Sequence, residues 1–258
     1  MTTANRACVV IPARYASTRF PGKVLADRTG KPLIQHVYER AAAAHIPDSV
    51  IVATDDERVA AAVEAFGGKA VMTSPACASG SDRLAEVVAR DPAINRVVNV
   101  QGDEPEVDPA DIDRLFTLLD EHPWADMSTL AVRQTDEAAV TDPHVTKAVF
   151  APDGRALYFS RSVVPGLKGR GGVFDGAAAH YYKHLGMYGY RREALERFAA
   201  LPPSPLERLE GLEQLRALEN GMAIVVGVTA NDAIGVDTPE DYEAFVRRCQ
   251  ERIEATGE

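Results

Sequence analysis

Residues 7–23 read ACVVIPARYASTRFPGK. Ala7–Pro12 is an unbroken apolar run rich in β-branched residues, the pattern of a strand covered on both faces. The polar, basic stretch that follows, through Lys23, contains Pro21 and Gly22 and reads as a loop. Working outward, the same rhythm repeats. Leu33–Ala44 has helical apolar spacing, Val50–Ala53 (VIVA) is a second strand, and Glu57–Phe66 is a helix stopped by Gly67-Gly68. Ser81–Arg90 is helical, and Arg96–Val100 (RVVNV) is a strand ending at Gln101-Gly102-Asp103. Asp111–Asp120 is again helical, and Met127–Val132 is a strand. Strands alternating with helices predict an α/β fold, a mostly parallel sheet with helices on both faces. Ligands bind such sheets beyond the carboxyl ends of the strands. The loops Arg14–Lys23 and Gln101–Glu106 both leave strands at that edge and are expected to converge.

The rhythm changes near Thr146. Lys147–Ala151 and Ala156–Arg161 flank Pro152-Asp153-Gly154, a hairpin signature. Gly166–Gly176 is glycine-rich and reads as a mobile loop; Tyr181–Tyr190 is an aromatic strand and Arg191–Ala200 a helix. Pro205–Asn220 reads as one helix, with leucines at 206, 209, 212, 215 and 218 and Gly221 at its end. Met222–Val228 is a strand. Thr238, Pro239 and Asp241 have the spacing of a capped final helix. Residues 1–258 are expected to form a single domain, with 146–200 an antiparallel insertion that covers a site or pairs with another subunit.

Apolar residues make up 46% and charged residues 26% of the 258, which argues against disorder or a disulfide scaffold. The 28 basic and 38 acidic residues leave a formal charge of −10, so no general field attracts a nucleic acid. An anionic ligand must therefore be held by a local basic cluster. Cys8, Cys77 and Cys249 are far apart and form no CxxC pair, which points to a reducing compartment. No apolar run reaches the ~20 residues of a membrane helix. The N-terminal apolar stretch is too short for a signal peptide. A cytoplasmic protein without membrane insertion is expected.

Arg14, Arg19 and Lys23 fall within ten residues of one strand-to-helix loop, beside Ser17, Thr18 and Gly22. Such a loop can wrap a pyrophosphate with backbone N–H groups while its cations neutralise the charge. It is neither GxxxxGK[ST] nor GxGxxG. The plain alternative is a solvated basic loop. Asp103, directly after a strand, and Asp237, just before a helix, suit a hard metal ion such as Mg²⁺. Taken singly, Asp103 is more often a turn residue and Asp237 more often a helix cap.

VVIPARYASTRFPGKVL, VATDDERV, SGSDRLAEV, VVNVQGDEP, ALYFSR, HLGMYGYR, SPLERLEGLEQLR and GVDTPEDYE together resemble the 3-deoxy-manno-octulosonate (KDO) cytidylyltransferases, or CMP-KDO synthetases. The likeness covers nearly the whole chain, in order. It implies a Rossmann-like three-layer α/β/α sheet of the nucleotide-diphospho-sugar transferase type. It also implies Mg²⁺-dependent transfer of CMP from CTP to KDO, with pyrophosphate released, for lipopolysaccharide synthesis by a cytoplasmic homodimer. By the same likeness, Arg14, Ser17, Arg19 and Lys23 hold the triphosphate, and Ser79, Gly80 and Arg83 frame the nucleotide. Asp103 and Asp237 ligate Mg²⁺ and, with Lys23, form the catalytic group. Gln101, Arg161, His184, Tyr188, Glu213 and Gln214 contact the sugar acid. On the residues alone, Tyr188 is more often core, His184 is more often a satisfied structural residue, and Glu213 reads as a solvated charge. The rival readings are the same transfer onto an amino-KDO or a sialic acid, a nucleotide-binding module without turnover, and, last, a dehydrogenase lacking its glycine fingerprint.

Overall fold

In the computed structural model, residues 6–166, 174, 180–232 and 234–256 are described. The chain divides into two compact units, Met1–Asp113 with Ala233–Glu258, and Arg114–Asp232.

The first unit begins with β1 (Arg6–Ala13), α1 (Leu33–Ala42), β2 (Ser49–Thr54) and α2 (Glu57–Ala65). It continues with β3 (Ala70–Met72), α3 (Gly80–Arg90) and β4 (Ile94–Asn99). All pairings among these strands are parallel, in the order β3-β2-β1-β4, with Val10 opposite both Ile51 and Asn99. Cys8, Val9, Val10 and Ile11 are wholly buried, as an apolar run that packs on both faces requires. Burying each Val or Ile contributes roughly 1.5–3 kcal/mol. The loop leaving β4 packs against the main chain at the end of β1. A Cβ on Gly102 would lie 2.9 Å from the Pro12 carbonyl oxygen, so only glycine fits without displacing main chain.

The last helix, α9 (Pro239–Thr256), also belongs to this unit. Its capping box forms as expected: the Asp241 N–H donates to Thr238 Oγ1 (3.2 Å) and the Thr238 N–H to Asp241 Oδ2 (2.9 Å). Tyr242, Phe245 and Val246 pack with Leu33 and Val236, and Phe20 and Ala26 lie against the cluster. This apolar contact holds the start of α9 beside the loop after β1.

α4 (Pro109–Glu121) precedes the strands of the second unit, β5 (Met127–Gln134), β6 (Lys147–Phe150), β7 (Ala156–Ser160), β8 (Tyr181–Arg191) and β9 (Ile224–Thr229). β6 and β7 form the expected hairpin. β8 is antiparallel to β5 and β6, whereas β9 runs parallel to β5. The helices here are α5 (Glu137–Thr141), α6 (Arg192–Ala199), α7 (Pro205–Glu210) and α8 (Gln214–Glu219). The single helix expected over 205–220 is therefore two. Gly211, at φ +64°, breaks it, and its N–H bonds the Glu207 carbonyl oxygen at 2.7 Å. The leucine stripe is not one face either: Leu215 is fully buried while Leu209 is 82% exposed. Apart from residues 166 and 174, the glycine-rich loop read at 166–176 lies outside the described residues.

Candidate active site

Three expected residues of the first unit meet, although they are far apart in sequence. Lys23 opens a short 3₁₀ turn, Lys23–Leu25, after the basic loop and is buried. Its Nζ lies 2.6 Å from Asp103 Oδ2 and 3.1 Å from Asp237 Oδ1, and also donates to the Val236 carbonyl oxygen at 3.0 Å. Arg19 adds a second cation, 3.0 Å from Asp237 Oδ1. The backbone ties the two acidic loops directly, because the Val236 N–H donates to the Asp103 carbonyl oxygen at 2.8 Å. Two carboxylates thus share one buried ammonium, and both side chains stay open to solvent, 30% and 50% exposed.

The remaining first-unit candidates surround the basic loop without all meeting in one place. Arg14 Nη2 donates to the carbonyl oxygens of Ala78 (2.7 Å) and Cys77 (3.1 Å), tying this loop to the entry of α3. Ser17 Oγ accepts from the Phe20 N–H at 3.4 Å. Ser79 caps α3: its Oγ accepts from the Asp82 N–H, and its own N–H donates to Asp82 Oδ2. Gly80 sits against Pro12, where an added Cβ would come within 3.2 Å of that ring. Gln101 is half-buried on the loop after β4. Arg83 is inside the protein, its guanidinium bonded to Asp55 Oδ2 (2.8 Å) and Thr73 Oγ1 (2.7 Å). There it braces the start of α3 from beneath.

In the second unit, His184 is buried on β8, its ring 4.9 Å from that of Phe159 and 5.3 Å from that of Tyr188. Burial lowers its pKa to about 3, so the imidazole is neutral. Its tautomer follows from Thr129. That hydroxyl has one proton, which goes to the Met187 carbonyl oxygen at 2.8 Å, so it accepts from His184 Nε2–H at 2.9 Å. Nδ1 is then the acceptor nitrogen. Burial, with Tyr190 and Glu213 nearby, keeps the Tyr188 hydroxyl protonated well above its ordinary range. Gln214 is buried at the start of α8, and its side-chain Nε2 has no hydrogen-bond partner; Glu213 is exposed beside it. Arg161 Nε donates to the Glu210 carbonyl oxygen at 2.8 Å. Sequence reasoning gave no role to Glu210, Thr129 or Val236. Glu210 lies inside the SPLERLEGLEQLR motif, whereas Val236 acts through backbone atoms that no residue type announces.

Among the described residues, no group of three or more His, Cys, Asp or Glu side chains is placed to hold a metal ion. Asp103 and Asp237 are a pair of oxygen donors, too few to enclose a cation. Mg²⁺ suits such a site, since it keeps water and phosphate oxygens in its shell and is bound by one or two carboxylates. No helix among the described residues is long and apolar enough to cross a membrane.

A family model described as cytidylyltransferase matches residues 8–224. The chain is 50% identical to a 3-deoxy-manno-octulosonate cytidylyltransferase of Geobacter sulfurreducens, over 93% of this chain and 98% of that one. It is 52% identical to the protein of that name from Myxococcus xanthus, over 92% and 94%. It is also 49% identical to an 8-amino-3,8-dideoxy-manno-octulosonate cytidylyltransferase of Shewanella sp. strain ANA-3, over 95% and 97%. Among solved structures, a CMP:2-keto-3-deoxy-manno-octonic acid synthetase complexed with CTP superposes with a TM-score of 0.90 at 42% identity. That match covers 96% of this chain and 100% of that one.

Proposed function

The chain belongs to the cytidylyltransferase family, and from that premise we infer that it transfers CMP from CTP to KDO, giving CMP-KDO and pyrophosphate. The observation that carries this reading is the Lys23 ammonium held between Asp103 and Asp237, on loops 80 and 214 residues away. The anomeric hydroxyl of KDO attacks the α-phosphorus of CTP in line as pyrophosphate leaves. Such transfers depend on positioning and charge neutralisation rather than on a covalent enzyme intermediate. Arg14, Ser17, Arg19 and Lys23 bind the triphosphate. Ser79 and Gly80 frame the nucleotide, and Arg83 supports them from within. Lys23 exchanges carboxylate contacts for phosphate contacts as the triphosphate arrives.

Asp103 and Asp237 would hold Mg²⁺, which when bound neutralises charge on phosphate oxygens. KDO is itself an anion, so Arg161 meets its carboxylate. Neutral His184 offers Nδ1 to a sugar hydroxyl, and Tyr188, Gln101, Glu213 and Gln214 complete the sugar contacts. Residues 1–258 act as one cytidylyltransferase domain, with 146–200 covering the sugar and forming the homodimer contact. The enzyme supplies activated KDO for lipopolysaccharide from the cytoplasm.

A second reading is favoured by the Shewanella relative, whose name specifies an amino group at C8 of the sugar. Pyrophosphate release measured with CTP, Mg²⁺ and each sugar in turn decides between them. Turnover with KDO well above that with the 8-amino sugar is expected. The reverse order would reassign the substrate, and equal rates with sialic acid would overturn both readings.

A further inference from the structure

We propose that Glu210 is a positioning residue for sugar binding, one that aims Arg161 without neutralising it. The inference rests on the reading of Arg161 as the residue that meets the sugar carboxylate. Glu210 touches Arg161 at two separate places. Its carboxylate accepts from the Arg161 backbone N–H at Oε2 (2.9 Å) and from Ser160 Oγ at Oε1 (2.6 Å). Its main-chain carbonyl oxygen accepts from Arg161 Nε (2.8 Å). From the other side, Lys147 Nζ donates to the Arg161 carbonyl oxygen at 2.5 Å, and to those of Asp142 and Val145. Arg161 Nη1 makes a longer contact, 3.3 Å, to the Pro143 carbonyl oxygen. A guanidinium is planar, so contacts at Nε and Nη1 fix its plane.

The division of labour within Glu210 is what points to function. A carboxylate set against the guanidinium would cancel the charge that an anionic substrate needs. Here the carboxylate takes neutral donors, the Ser160 hydroxyl, the Arg161 N–H and the Tyr158 hydroxyl, and a carbonyl dipole orients the cation. Glu210 also ends α7, so the residue that fixes Arg161 immediately precedes the Gly211 break leading to Glu213 and Gln214. Glutamine cannot replace it fully. It keeps a single side-chain acceptor oxygen and turns an NH₂ group toward a partner that is itself a donor.

Steady-state kinetics of Glu210→Gln, with KDO and CTP varied separately, tests this. The KM for KDO should rise about 10-fold, the size of one misplaced charged contact, while the KM for CTP changes less than about 2-fold. Ser160→Ala, a milder change that keeps the carboxylate, should shift the KDO constant alone by a smaller factor in the same direction. It also keeps the test open if Glu210→Gln fails to fold. Equal effects on both substrates, or none on KDO in either variant, would overturn the inference. Arg161→Ala separates the two levels. If it raises the KDO constant while both Glu210→Gln and Ser160→Ala leave it alone, only the role of Glu210 falls. If it leaves the KDO constant unchanged, the reading of Arg161 falls, and this inference with it.

Discussion

Lys23 has two tasks that compete for the same three protons. It pairs with Asp103 and Asp237, and on the proposed function it must also serve the triphosphate. Lys23→Ala should therefore lower kcat/KM for CTP by at least ~10-fold, since a charge-assisted contact contributes roughly 1.5–3 kcal/mol. Unchanged constants for CTP would remove Lys23 from the phosphate site. His184 makes a different prediction. Its native pKa, about 3, lies below the ordinary value of 6.5 because burial disfavours the charged ring. Between those values the unfolded chain binds a proton that the native chain does not. The contribution is therefore full above pH 6.5 and shrinks as pH falls toward 3, by up to about 1.4 kcal/mol per pH unit. Denaturant titrations from pH 7 to 4 should show a shallower loss for His184→Gln than for the unaltered protein. Equal slopes would mean the ring protonates freely in the native state.

At the scale of elements, long periodic segments could be read directly, and short or broken ones could not. β1, β2, β4 and the β6–β7 hairpin follow from apolar runs and turn residues that act locally. β3 is only Ala70–Met72, too short for any period to register, and α5 has five residues. The 205–220 segment misleads because helical propensity on both sides of Gly211 is high, and one backbone torsion decides whether the helix continues. What secures the break is tertiary: Glu207, ion-paired with Arg216 through two short contacts (2.8 and 2.5 Å), folds α8 back on α7. Gly211→Ala meets no neighbour within 4 Å, so its whole cost is the left-handed torsion, about 1–2 kcal/mol. A urea midpoint lowered to that extent is expected, with Gly211→Asn closer to the original. If the alanine variant is as stable as the parent, the torsion is not what holds the two helices apart.

For the whole molecule, charge explains why the site was only half legible in its sequence. The basic loop stands out against a chain of net charge −10, because Arg14, Arg19 and Lys23 fall within ten residues. The meeting of residues 23, 103 and 237 does not, because no local pattern encodes a contact spanning 214 residues. It depends on Gly102 letting the loop after β4 lie against the end of β1 and on Val236 packing against α9. The same charges yield a prediction whose sign depends on metal. Without it, the loop offers three cations against two carboxylates, while an acidic chain repels the triphosphate at long range. With Asp103→Asn and Asp237→Asn combined, the cations stand alone. In EDTA at low salt, calorimetry should find that this double variant binds CTP more tightly than the parent. In saturating Mg²⁺ the order should reverse, and each single variant should lose turnover, because the carboxylates then hold the ion that offsets the phosphate charge. Parent protein binding CTP more tightly under both conditions would mean that Asp103 and Asp237 never oppose the nucleotide. Their pairing with Lys23 would then be structural.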